Sequence, residues 1–265
     1  MASRKIVLVT GANSGIGFET VKAFLLSSNP YHVLAGARTL DKANGAIETL
    51  QKECPDSTNT VEPLEVDLNS DLSIENAFAA VETKHGHIDA LINNAGATFD
   101  LEYLKGTTTL RESFTKAYDT NVAGTNVLTH TFIPLLLKSS DPRLIFVAGL
   151  ANITLASQKY FPTPPLPAGW PKNIDFETIG YRCSKVALNM LMVDWNHKLK
   201  EDGVKVWCVG PGLLATNLGG GGPELAKRLG AGHASKGGDI LRRVVEGERD
   251  GDVGKIVVDG GVSMW

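Results

Sequence analysis

Ile6-Val7-Leu8-Val9 is a short apolar run that ends abruptly in Thr10-Gly11-Ala12-Asn13-Ser14-Gly15-Ile16-Gly17. A helical pattern with Phe18, Val21, Phe24 and Leu25 on one face begins at once. A strand, a glycine turn and a helix in so little chain leave few folds open, because a strand that turns straight into a helix is the first corner of a β-α-β unit. In the spacing G-x-x-x-G-x-G, Gly11 permits the tight turn. Gly15 lets backbone N–H groups approach a phosphate, and Gly17 lets the helix lie close on the strand. The helix N-terminus directs its partial positive charge to the same point. The turn therefore reads as a dinucleotide cradle, with Gly11, Asn13, Ser14, Gly15, Ile16 and Gly17 as its contact residues.

The rest of the chain keeps the same alternation. Strand-like runs at 31–37, 61–66, 88–92, 144–147, 204–209 and 256–258 are separated by helical patterns over about 40–53, 71–85, 109–138 and 179–201. This predicts one α/β domain over 1–265, a Rossmann-type doubly wound parallel sheet of about seven strands. Its 265 residues, 43% hydrophobic, suffice for one large core. A formal charge of −3 argues against nucleic acid as a partner. No apolar run is long enough to span a bilayer, and residues 1–5 lead straight into the first strand, which predicts a cytoplasmic protein that binds no membrane. Cys54, Cys183 and Cys208 suit neither a disulfide framework nor a zinc site and fit a reducing compartment. His85 and His87 flank Gly86 at a helix end with no acidic or thiol partner spaced beside them. They read as solvated or capping residues, and no metal site is expected.

Two segments break the rhythm. Residues 151–178 hold Pro162, Pro164, Pro165, Pro167 and Pro171, which exclude a single helix or a central strand. A glycine-rich loop over about 217–235 opens around Gly219-Gly220-Gly221-Gly222. Both follow strand ends, where open α/β sheets bind ligands, so both are expected on the substrate side. Phe161, Trp170 and Phe176 give the first an aromatic character suited to a bulky apolar ligand.

The second strand ends Ala35-Gly36-Ala37-Arg38. No carboxylate stands there to hold ribose hydroxyls, and Arg38 offers a permanent planar cation to a 2′-phosphate, which points to NADP(H). Asp67, followed by Leu68 after the third strand, reads either as an acceptor for the adenine amine or as a helix cap.

Further motifs fall in order: Asn93-Asn94-Ala95-Gly96, Asn121, Tyr181-x-x-x-Lys185, and Pro211-Gly212-x-Leu214-x-Thr216. With the opening turn they resemble the short-chain dehydrogenase/reductase family over nearly the whole chain. The resemblance implies hydride transfer to or from a nicotinamide. It implies that Tyr181 is the general acid and that Lys185, one helical turn on, lowers the phenol's pKa and holds the nicotinamide ribose. Asn121 would kink its helix around a proton-relaying water. Asn93, Ala95 and Gly96 would line the cofactor, and Pro211, Gly212, Leu214 and Thr216 would hold its carboxamide end.

The pattern departs from the family at one catalytic position. Where the family has a serine that hydrogen-bonds the substrate carbonyl, this chain reads Val147-Ala148-Gly149-Leu150. Either Thr154 or Ser157 substitutes, or the proline-rich insertion supplies a donor, or the substrate is not an ordinary ketone. An iminium ion would need no such donor. The interval from Gly149 to Tyr181 is long for the family and resembles that of monomeric carbonyl reductases. A homo-oligomer stays open as well, with the apolar ending 258–265 as a possible interface. Gly169-Trp170 also resembles part of the P-D-P-G-W tract of fungal indole-alkaloid reductases that act as Diels–Alderases, without its acid. The expected function is an NADPH-dependent reductase of a carbonyl or imine in a bulky, aromatic or secondary-metabolite small molecule, with Gly149 and Trp170 at the substrate. The alternatives are a reductase-derived cyclase and a non-catalytic NADP-binding sensor.

Overall fold

β1 (Lys5–Thr10) carries apolar side chains on both faces, and the strand's period of two divides them between two cores. Ile6 and Leu8 join one, Val7 and Val9 the other. A strand buried on both sides requires helices on both sides, and the chain supplies them. The computed structural model describes residues 4–148, 152–160, 165–218 and 222–265.

The order is β1, α1 (Gly15–Leu25), β2 (Tyr31–Ala37), α2 (Leu40–Glu53), β3 (Thr60–Glu65), α3 (Asp71–His85), β4 (Ala90–Asn93), α4 (Asp100–Leu104) and α5 (Leu110–Tyr118). A π-helical turn, Asp119–Gly124, then leads into α6 (Thr125–Leu136), β5 (Arg143–Val147), α7 (Ile153–Gln158), α8 (Ile179–Lys198) and β6 (Lys205–Val209). The chain ends with β7 (Leu214–Ala215), α9 (Gly222–Arg228), β8 (Gly232–His233), α10 (Ser235–Val245), β9 (Ile256–Val258) and β10 (Gly261–Ser263). The main sheet runs β3-β2-β1-β4-β5-β6-β9-β10, and β7 pairs with β8 apart from it. Every neighbouring pair in the main sheet is parallel except β9–β10. The seven parallel strands are those read from the sequence, and β10 adds an antiparallel edge that short apolar Gly261–Ser263 did not announce.

One core packs α1, α2 and α10 on the sheet through Val21, Phe24, Ile47, Leu50, Ile240 and Leu241. The other packs α3, α6 and α8 through Ile74, Phe132, Leu188 and Met192. Strand order reverses between β1 and β4, which opens a crevice at the C-terminal ends of these strands.

The helical pattern over 109–138 is divided by the π turn into α5 and α6, and Pro134 sits near the end of α6. In the insertion, α7 is capped by Asn152, whose Oδ1 accepts from Leu155 N–H at 2.7 Å. The Asn152 amide donates to Ser263 Oγ and the Met264 carbonyl, and Thr154 N–H donates to the Trp265 carbonyl. The C-terminal segment, read as a possible subunit interface, is thus engaged within its own chain. Gly149, Phe161, Pro162, Pro164 and Gly219 to Gly221 lie outside the described residues. Among the described residues no helix is long and apolar enough to cross a membrane.

Candidate active site

A cleft of about 390 Å³ lies over the crevice, with the glycine turn and Arg38 among its walls together with Tyr181 and Lys185. Gly11 and Gly15 hold φ of 64° and 56°, the left-handed region that side chains resist. At Gly17 a Cβ would stand 2.2 Å from the Gly11 carbonyl oxygen, so the turn and the start of α1 require a glycine there. Thr10 braces the turn to the end of β4: its Oγ1 accepts from Asn94 and Ala95 N–H, each at 3.0 Å. The Asn94 amide returns a bond to the Thr10 carbonyl at 2.8 Å. Ser14 caps α1 without a side-chain bond and no acid stands in the first turn, so the helix start presents uncapped N–H groups beside Ser14, Gly15 and Ile16 in the cleft wall. That is the chemistry of an anion site.

Arg38 is exposed at the same cleft and makes no hydrogen bond or ion pair among the described residues. Asp67 also lines the cleft, and its carboxylate accepts from Asn69 N–H at 3.1 Å. The cap of α3 is Ser70, which accepts from Ser73 N–H, so the capping alternative for Asp67 is corrected.

Tyr181 and Lys185 sit one turn apart near the start of α8. Lys185 is buried, its Nζ donates to the Val147 carbonyl at 2.9 Å and lies 5.6 Å from the centre of the Tyr181 ring. Burial pushes the ammonium down to about 8 and pushes the Tyr181 phenol up. The direction is thus the opposite of the lowering expected from Lys185, and its cause is burial. Asn121, inside the π turn, is wholly buried: its Oδ1 accepts from Ala97 N–H at 2.7 Å. Its amide donates to the Ala97 carbonyl and to Ser184 Oγ, each at 2.8 Å, which ties the loop after β4 to α8. A Cβ on Gly96 would stand 3.1 Å from Lys185 Nζ and 3.3 Å from Asn121 Oδ1, so a glycine gives these two groups their room.

One residue of this constellation was invisible to the motif reading. Asp100, buried in α4, accepts from Gly180 N–H at 2.8 Å and Tyr181 N–H at 3.0 Å, and receives the Thr98 hydroxyl at 2.8 Å. Its carboxylate thus caps, from another element, the N-terminus of the helix that carries Tyr181 and Lys185. A Cβ on Gly180 would stand 2.9 Å from the carboxylate, so the residue before Tyr181 must be small.

Of the residues read from the sequence, Gly11, Asn13, Ser14, Gly15, Ile16, Arg38, Asp67, Leu68, Ala95, Gly96, Tyr181, Lys185 and Thr216 line the cleft. Others do not. Asn93 is buried beneath it, its amide donating to Thr129 Oγ1 at 2.9 Å. Leu214 is buried against Gly232 and Gly237, and Gly212 borders a separate cavity with Ala148 and Asn189. Pro211 is absent from the cleft wall too. Trp170 is 88% exposed and outside the wall. Thr154 and Ser157 do not reach the cleft either: the first donates to the Trp265 carbonyl, the second to the Thr154 carbonyl. Asn69, Thr98 and Phe99, from loops with no motif of their own, and Thr120 of the π turn also line the wall, as do Asn217 and Leu218 of the glycine-rich loop expected on the substrate side and Asn94 from within a motif.

Comparison with known proteins agrees with this geometry. The family described as short chain dehydrogenase matches residues 5–158. The chain is 45% identical over 263 residues to the short-chain dehydrogenase/reductase tropE of Talaromyces stipitatus, covering 98% of this chain and 97% of that one. It is 44% identical over 254 residues to the short-chain dehydrogenase/reductase eupG of a Phoma species, covering 92% and 91%. Among solved structures it resembles the NADPH-bound carbonyl reductase from chicken fatty liver, with 25% identity, a TM-score of 0.77 and full coverage of both chains.

Proposed function

The chain belongs to the short-chain dehydrogenase/reductase family, an oxidoreductase family that uses nicotinamide cofactors, and on that premise we propose that it is an NADPH-dependent reductase of a carbonyl or imine in a bulky apolar small molecule. The observation that carries the reading is that one cleft holds both an anion cradle with an arginine unpaired among the described residues and a half-buried tyrosine one turn from a buried lysine.

The cleft fits NADP(H) on its own chemistry. Uncapped N–H groups at the start of α1 suit the pyrophosphate, and Arg38, with no partner among the described residues, suits a 2′-phosphate. Bound there, the nicotinamide would supply the hydride. Tyr181, kept protonated by burial, gives its proton to the substrate oxygen or nitrogen. Lys185 holds a positive charge beside the phenolate that remains and offers hydrogen bonds to ribose hydroxyls. Asn121 and Asp100 hold the two ends of this arrangement still. Phe99, Val147 and Leu218 give the wall apolar surface for the substrate. With glycine at 149, a substrate that develops no oxyanion, such as a cyclic imine that Tyr181 protonates on nitrogen, suits the site better than a simple ketone.

The test is oxidation of NADPH and NADH, side by side, by the purified protein against aromatic ketones, quinones and cyclic imines. Turnover with NADPH and a preference for imines is expected. Tight NADPH binding with no turnover on any member of the panel would overturn the reductase reading.

A further inference from the structure

Far from the cleft, near the N-terminal ends of the strands, the fold gathers three metal-binding side chains that the sequence keeps apart. We propose that His32, Glu62 and His85 form a site for a single divalent transition-metal ion of the zinc class.

His32 is the second residue of β2, and it faces Thr60 of β3 in register. Glu62 lies two positions beyond Thr60, hence on the same face of the sheet and diagonal to His32. His85 is the last residue of α3, which packs over that face. One ligand atom from each lies within 4.8 Å of the other two. His85 Nε2 stands 2.7 Å from Glu62 Oε1, and His32 Nε2 stands 3.4 Å from Glu62 Oε2. The three side chains are 12–20% exposed, so they are held rather than waving in solvent. The reading of His85 as a solvated helix end without an acidic partner is thereby corrected: its partner comes from β3, 23 positions away.

Two features point to an ion rather than to a plain ion pair. The first is the state of His32. Its Nδ1 is 2.7 Å from Thr60 Oγ1, which fixes the ring, and its Nε2 is buried with no hydrogen-bond partner among the described residues although a carboxylate oxygen stands 3.4 Å away. With the proton on Nδ1, the Nε2 lone pair faces a carboxylate, an arrangement that a cation between them would satisfy. A hydrogen bond to the far ring nitrogen is also what orients a metal-ligating histidine. The second is that a cation already sits on this carboxylate. The Lys84 ammonium bonds to Glu62 Oε2, on a side chain 64% exposed and free to swing away. The last turn of α3 adds its own attraction for positive charge.

The donor set selects the ion. Two imidazoles and one carboxylate suit zinc, cobalt, nickel and copper far better than calcium or magnesium. Three protein ligands leave a coordination position for water, and a shallow depression lined by Arg4, Ile6, His32 and His85 opens there. Arg4 does not occupy it, because its guanidinium donates to the Thr58 carbonyl at 3.0 Å. Such an ion would clip β2, β3 and α3 together without touching the catalytic end, so it acts on stability.

The experiment is calorimetric titration of ZnCl2 into the untagged, chelator-stripped full chain, with the Tm followed in parallel. One ion per chain and a raised Tm are expected. His32→Gln and His85→Gln each abolish binding, while Thr60→Val, which removes only the orienting bond, weakens it roughly 10–100-fold. Lys84→Ala tightens it, because the competing ammonium is gone. His87→Gln, whose ring faces Asp89, leaves it unchanged. Retained NADPH binding identifies the variants that are folded. No zinc binding by the parent chain, or unchanged affinity in folded His32→Gln and His85→Gln, overturns the site, whatever the reductase assay shows.

Discussion

At the scale of single residues, the proposed chemistry rests on three side chains and one missing one. In the proposed chemistry Arg38 would decide between cofactors, because an exposed guanidinium with no partner among the described residues would gain a charge-assisted bond from the 2′-phosphate that NADH lacks. Such bonds are worth about 1.5–3 kcal/mol, so Arg38→Asp is expected to weaken NADPH by roughly 10–150-fold and leave NADH nearly unchanged, as read by fluorescence titration of both. Tyr181→Phe is expected to lower kcat by about 10²–10⁴-fold while NADPH affinity stays near that of the parent, since only the proton donor is lost. Lys185, pushed down to about 8 by burial, loses its charge as the pH rises through that value. The kcat/KM profile is therefore expected to fall above about pH 8 and to be flat just below it. At position 149 a hydroxyl is absent, and Gly149→Ser is expected to raise ketone turnover by up to roughly 10²–10³-fold, in the same NADPH assay.

At the scale of elements, α8 and the π turn carry the site. At the start of α8 the Thr178 side chain makes no cap bond, and Glu177 Oε1 accepts from Thr178 N–H at 2.8 Å and Ile179 N–H at 3.0 Å. Asp100 of α4 takes the next two N–H groups, those of Gly180 and Tyr181, and brings a second negative charge to the positive end of the helix. Asp100→Ala is expected to cost about 1–3 kcal/mol, because one buried and one part-buried N–H group lose their acceptor. A loss of that size lowers the Tm by several degrees and, by letting Tyr181 drift, lowers kcat more than it weakens NADPH binding at the distant glycine turn. Thermal unfolding and the kcat-against-Kd split measure both. The π turn is held from the other side: a Cβ on Gly124 would stand 2.0 Å from the Leu68 carbonyl oxygen, so the wide turn lies directly on the loop after β3. This contact sets Asn121 where its amide reaches Ala97 and Ser184 at once.

At the scale of the whole molecule, the end of the sheet opposite the cleft is closed by charge. Arg143, buried at the start of β5, lies 5.5 Å from the Trp207 ring and pairs with Asp250 at 2.7 Å and Asp141 at 2.9 Å. Lys205 joins the same two acids, and Lys5 of β1 joins Asp141. Burial would raise both carboxyls, but hydrogen bonds from Lys5 and Lys205 to Asp141, and from Arg143 and Lys205 to Asp250, outweigh it and hold both below the usual range. A carboxyl lowered by folding contributes stability that is present above its unfolded pKa, about 4, and lost as the pH falls toward the folded value. Urea midpoints are therefore expected to drop between about pH 5 and 3. Asp141→Asn should be less stable than the parent at neutral pH, and the gap should narrow as the pH falls.

The alternation of strand and helix, the glycine turn, the Tyr181–Lys185 pair and Arg38 could all be read from the chain because each is a pattern within a few residues. Backbone sterics, a period of two or 3.6, and a shared helix face act at that range. What only the tertiary structure decided is who stands beside whom across the layers. Asp100 meets Gly180 from 80 positions away, Glu62 meets His85 from 23, and Asn93 turns out to lie under the cleft while Asn94 braces it. No local pattern encodes these contacts, because a side chain's partner across a sheet or between packed helices depends on strand order, register and packing, and the whole sheet must form before those exist.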